Sequence, residues 1–184
     1  MGSGQNFGGV DGDHLQVFPA AGCGSDACTP LFAMDVGTGN VGGAPAISGG
    51  TLYISSQTTP DPNTVGVVAA YDATGCGQDL CQPLWTGVNH ASGFESSPAV
   101  AGGLVFVAKG PASGFPVDVG IYAFDADGCH GAETCDPLVF VQTANSAFYL
   151  GSSVAIAGGR VYFGANDNDA NDSFLYALSV PLAP

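Results

Sequence analysis

The side chains best suited by type and spacing to do chemistry are six cysteines, set in the local pairs Cys23/Cys28, Cys76/Cys81 and Cys129/Cys135. Paired thiols can hold zinc or close a disulfide. Structural zinc sites favour closer pairs, about two residues apart, with two pairs converging on one ion. Here each pair is wider and the next pair lies 53 residues on, in a different repeat unit, so the spacing favours three disulfides over a metal centre. Each would close a short loop and contribute about 2 kcal/mol by restricting the unfolded chain. Disulfides also imply an oxidising location: secreted, periplasmic or at the cell surface.

A second cluster offers oxygen ligands. Asn166 to Asp172 reads NDNDAND, and Asp167, Asp169, Asn171 and Asp172 are its candidate calcium ligands. The glycine at the sixth position and the later glutamate of an EF-hand are both missing. A polar turn between two strands is the simpler reading, and calcium is the one cofactor the residues suggest. Asp11 and Asp13 occupy the matching turn near the start. Asn171-Asp-Ser173 is also an acceptor sequon for N-glycosylation.

Patterns for catalysis are lacking. His14, His90 and His130 are dispersed, without His-x-His or Glu-x-x-His spacing. No Gly-x-Ser-x-Gly elbow occurs, and scattered loop aspartates do not define the carboxylate pair of a glycosidase. Residues 37–42, GTGNVG, match a dinucleotide fingerprint as a string. That fingerprint works by opening a helix after a strand, whereas here Pro45 and a new strand follow. The chain is expected not to be an enzyme.

Charge narrows the partners. Lys109 and Arg160 are the only basic residues against 16 acidic ones, a formal charge of −14. Such a surface repels nucleic acid and anionic membranes, which need a basic patch. No apolar run approaches the length of a spanning helix. The start, MGSG, has no signal-peptide pattern, so an exported form implies a leader already removed.

The elements that must position these residues form a repeat. Gly-Cys falls at 22–23, 75–76 and 128–129, and Gly-Gly at 49–50, 102–103 and 158–159. Phe18, Tyr71 and Phe124 each lie five residues before the first cysteine of a pair. Three markers in phase at 53 to 56 residues establish an internal repeat. Within the unit 95–142, the runs SSPAVA, LVFVAK, GIYAFDA and PLVFV are short, rich in β-branched and aromatic residues, and bounded by turn residues. They read as four antiparallel strands, with Gly-Gly closing a tight hairpin between the first two. No helical periodicity occurs, and 29 glycines and 12 prolines suit the many turns. The chain is predicted to be all-β.

SSPAVAGGLVFVAKG followed by GIYAFDADG, with AAYDATG and PLW in the preceding unit, resembles the repeat of pyrroloquinoline-quinone-type β-propellers. Tyr71, Asp72, Thr74, Gly75 and Trp85 keep that family's arrangement. Phe32 and Val139 stand at the matching tryptophan positions, and Asp125 lacks the following threonine. The resemblance covers nearly the whole chain and speaks to fold rather than activity. It implies four-stranded antiparallel blades: a half blade over 11–36, blades over 42–88 and 95–142, and an incomplete blade over 150–180. Residues 1–10 read as an added or flexible start, and 11–184 as a single partial propeller domain. Family rings usually close with seven or eight blades, so about three and a half form an incomplete ring unless another chain completes it. The family's dehydrogenases need a full ring, calcium and a quinone on the axis, and their adjacent-cysteine disulfide has no counterpart here.

The leading expectation is an exported, non-catalytic module that binds a protein partner or a second copy through unfinished blade edges. The alternative is an extracellular ligand- or glycan-binding module. It would use the long loops Gln57 to Val65, Lys109 to Asp118 and Asn166 to Asp172, with or without calcium.

Overall fold

The computed structural model describes residues 14–37, 41, 43–58, 65–89, 94, 96–109, 119–144, 148–149, 153–167 and 172–179. Regular structure there is entirely β. In chain order the strands are β1 (His14–Val17), β2 (Phe32–Asp35), β3 (Ala46–Ser48), β4 (Thr51–Thr58), β5 (Val65–Asp72), β6 (Leu80–Cys81) and β7 (Trp85–Asn89). They continue as β8 (Ala99–Ala101), β9 (Leu104–Lys109), β10 (Val119–Asp125), β11 (Thr134–Cys135) and β12 (Val139–Ala144). The last four are β13 (Phe148–Tyr149), β14 (Ala155–Ala157), β15 (Arg160–Asp167) and β16 (Asp172–Ser179).

These strands build four small sheets, none of them closed. The first is β1-β2-β6, the second β3-β4-β5-β7-β11 and the third β8-β9-β10-β12. In the fourth, β16 pairs along the whole of β15, so β13 and β14 share the opposite side of that strand. The Gly-Gly pairs do what their positions foretell. Ser48↔Thr51, Ala101↔Leu104 and Ala157↔Arg160 close two-residue hairpins. Both glycines of each link have positive φ, the conformation that matches a tight turn to the twist of its strands.

Three apolar layers separate the sheets. Leu15, Met34, Leu52, Ile54, Ala69 and Tyr71 fill the first. Tyr53, Val68, Trp85, Phe94, Tyr122 and Phe124 lie in the second, and Phe106, Ile121, Val161 and Phe163 in the third. Alternation along β5 explains the arrangement: Ala69 and Tyr71 enter the first layer, Val68 and Ala70 the second. A sheet buried on both faces needs apolar residues at successive positions, which accounts for runs such as VGVVAAY. The short first strands adjoin, β3 beside β8 and β8 beside β14. There the Ala44 amide donates to Ser97 Oγ at 2.9 Å. A Cβ at Gly43 would lie 2.5 Å from the Ser97 nitrogen, so only glycine permits this approach.

Candidate functional site

The chemistry-bearing residues of the described chain gather at one repeated turn, between the third and fourth strand of a unit. In the second sheet, β5 ends at Asp72, whose Oδ1 accepts the Thr74 amide at 2.8 Å and the Thr74 hydroxyl at 2.6 Å. These two bonds, the hydroxyl's first, hold the exposed Asp72 carboxyl below its ordinary range. Asp125 Oδ1 accepts the Asp127 amide at 2.9 Å in the same way. The turn is tied to the hairpin beside it: the Ala73 amide donates to the Gly50 carbonyl, and that of Ala126 to Gly103, each at 2.9 Å.

Next come glycine and the first cysteine. The cysteines are joined as Cys23–Cys28, Cys76–Cys81 and Cys129–Cys135, with Cα separations of 5.6, 5.7 and 5.5 Å. Two of these loops do more than close a turn. Residues Leu80–Cys81 form β6, which pairs parallel with β2 of the preceding unit in the register Ala33↔Leu80 and Met34↔Cys81. Thr134–Cys135 form β11, which pairs parallel with β7 as Thr86↔Thr134 and Gly87↔Cys135. The Ala33 amide donates to the Asp79 carbonyl and the Thr86 amide to that of Glu133, both at 2.8 Å; the Thr86 hydroxyl also reaches Glu133 O at 3.1 Å. Each loop therefore clasps the outer strand of the sheet before it.

Packing reinforces the clasp. Phe32, which opens β2, lies on Gly75, where a Cβ would meet its ring at 3.0 Å. Trp85, which opens β7, lies on Gly128, where a Cβ would meet Cδ1 at 2.7 Å. Tyr71 crosses the first layer to donate its hydroxyl to the Asp35 carbonyl, and Tyr53 crosses the second to donate to Ala126 O at 3.1 Å. Burial foremost, and then the nearby Asp35 carboxylate, push the Tyr71 phenol far above its ordinary value of 10.0. Burial raises Tyr53 too, helped by Asp127 and Asp125 and opposed by a bond to Thr51. The Cys23–Cys28 loop has the same chemistry, yet its residues 20–27 are all exposed and pair with no strand among the described residues.

Two clefts flank the clasps. One, of about 290 Å³, lies between Trp85, Thr51 and the loop carrying Asp127, Cys129 and Glu133. The other, of about 240 Å³, is lined by Asp35, Val67, Ala69, Tyr71, Thr86 and Val88 among others and is mainly apolar. Leu31, Leu84 and Leu138 stand at matching repeat positions, 60 to 61% exposed, with amides bonded back to Val17, Ala70 and Ala123.

The acidic cluster is reached only in part. Asp167 and Asp172 are backbone partners where β15 and β16 meet, while Asp169 and Asn171 lie outside the described residues. Asp11, Asp13 and His90 lie outside them as well. Of the other histidines, His14 is in β1, and His130 sits in the third disulfide loop with φ of 57°. Residues 38–40 and 42 of the glycine-rich string are not described; Val41 bridges Ser56 at the edge of the second sheet. Sequence reasoning foresaw three stapled turns and missed their reach into the neighbouring sheet. The offset between Thr86 and Glu133 is 47 residues, and no local pattern marks it.

β16 is the last surface of note. β7 pairs with the far side of β5, and β12 with the far side of β10, each as a fourth strand. β16 matches β5 and β10 as the third strand of its sheet, and it has β15 as its one strand partner among the described residues. Residues 173–179, SFLYALS, carry no charge, and Leu175 is 77% exposed. No protein-family model matches the chain, and no curated protein matches it.

Proposed function

We propose that the chain is an exported, non-catalytic module built of propeller-type blades, and that it associates with protein by strand addition at the outer edge of β16. The observation that carries this reading is the fourth-strand position. Strands β7 and β12 fill it in two sheets beside β5 and β10, and β16 offers the same outer edge, long, without proline and uncharged over residues 173–179. Edges of that kind template pairing unless charge, proline or a bulge blunts them. Three disulfides and the absence of a spanning helix among the described residues accord with an extracellular or periplasmic setting. Four sheets stacked face to face, with first strands adjoining, support a partial ring of blades. The partner on this reading is a second copy or an extended segment of another protein.

The test compares the wild-type chain with Leu175→Lys in solution. Lysine on an edge strand disfavours pairing and leaves the buried layers untouched. Association in the wild type, lost in the variant, supports the reading. A wild-type chain that neither self-associates nor binds extended peptides would overturn it.

A further inference from the structure

The cleft of about 240 Å³ between the first and second sheets has a counterpart one repeat later, and the two differ in a telling way. Ala69 and Thr86 are cross-strand partners on its floor. Their repeat equivalents, 53 and 54 residues on, are Tyr122 and Phe140, which are also cross-strand partners. Those two rings stack with centroids 4.5 Å apart at 29°, and the Phe94 ring meets Tyr122 edge-on at 5.5 Å. Val41 stands 53 residues before Phe94, so three aromatic positions become alanine, threonine and valine between the first two sheets. The space that two stacked rings fill between the second and third sheets is open between the first and second.

From this we infer that the cleft is a binding site for a small, planar aromatic cation. Shape supports the ring: the floor of Val67, Ala69 and Val88 is apolar, and a dry cavity of about 150 Å³ already accommodates benzene. Charge complementarity supports the cation. Asp35 lines the cleft, its Oδ1 accepting the Gly37 backbone amide at 3.0 Å and its Oδ2 the Gln82 side-chain Nε2 at 3.2 Å. Each carboxylate oxygen can accept a further bond. The two basic residues of the chain, Lys109 and Arg160, belong to β9 and β15, away from this interface. An aromatic ring on the floor therefore directs a positive group to Asp35, whereas an anion meets unrelieved carboxylate charge. This site is separate from the β16 edge and stands whether or not that edge captures a strand.

The experiment is ligand-observed NMR on the intact, disulfide-bonded chain with benzylamine, benzoate and cyclohexylmethylamine as probes. Benzylamine should bind with a Kd on the order of 1 mM, as expected for so small a ligand, and the other two at least about tenfold more weakly. The double variant Ala69→Tyr/Thr86→Phe restores the ring pair of the next unit and should abolish binding. Should that variant fail to fold, shifts of the Val67, Ala69 and Val88 methyl signals on benzylamine addition to the wild type provide the decision. No benzylamine binding, equal binding of benzoate, retained binding in the folded variant, or shifts confined to other residues would each overturn the assignment.

Discussion

Breaking the Cys129–Cys135 bridge by Cys129→Ser/Cys135→Ser should cost more than a closed loop of that length explains. A loop of this size restrains the unfolded chain by about 2 kcal/mol on the chain-entropy account. In the folded protein the same bridge holds β11 on β7, where Glu133 O receives both the Thr86 amide and the Thr86 hydroxyl. Releasing the loop returns these groups to water, adding about 1 kcal/mol net. The sum is about 3 kcal/mol, or a fall in Tm of about 6–12 °C for a chain of this size. The natural control is Cys23→Ser/Cys28→Ser, whose loop is exposed and clasps no described strand. It should lose only the loop term, a fall of about 4–8 °C. Calorimetry of both variants measures the difference, and hydrogen exchange locates it. The Thr86 amide should exchange at least about tenfold faster in the first variant, relative to Val68 in the middle of the same sheet. Equal losses of Tm with Thr86 still protected would refute the idea that the bridge acts between sheets.

The other predictions concern single contacts. Gly128→Ala places a Cβ 2.7 Å from the Trp85 ring at a φ of +84°, whereas Gly131→Ala, at φ +95°, meets nothing within 4 Å. Urea melts should therefore show a loss of about 2–3 kcal/mol for the first and about 1 kcal/mol for the second. Tyr71→Phe removes the hydroxyl bonded to the Asp35 carbonyl and should cost about 1 kcal/mol at neutral pH. Because the folded phenol titrates above its unfolded value of 10.0, its contribution is complete below pH 10 and is lost as pH rises further. Alkaline titration of stability should accordingly be shallower in Tyr71→Phe than in the wild type.

Much of the fold was legible because its punctuation is local. Gly49-Gly50 and its two counterparts mark hairpins by a conformation that glycine adopts without strain. Each cysteine pair likewise lies within a single turn. What remained hidden was long-range. β6 and β11 are two residues each, too short for any periodicity, and they become strands only because a neighbouring sheet presents an edge. The fourth strand of the unit 95–142 was expected to begin at Pro137, yet it opens at Val139, just as its counterpart after Pro83 opens at Trp85. Proline has no amide to donate, and the Leu84 and Leu138 amides are spent in closing the turn onto Ala70 and Ala123. The cleft beside Asp35 was likewise invisible. Ala69 and Thr86 are unremarkable in the linear chain, and their smallness matters only once each is aligned with the ring it replaces.

The most direct test of the association reading is the solution mass of the intact chain by light scattering across a concentration series, beside Leu175→Lys. Strand addition between copies at β16 predicts species at multiples of 18.2 kDa for the wild type and a single 18.2 kDa species for the variant. A wild-type mass of 18.2 kDa at every concentration would contradict self-association. Oligomers that persist unchanged in Leu175→Lys would move the contact away from β16.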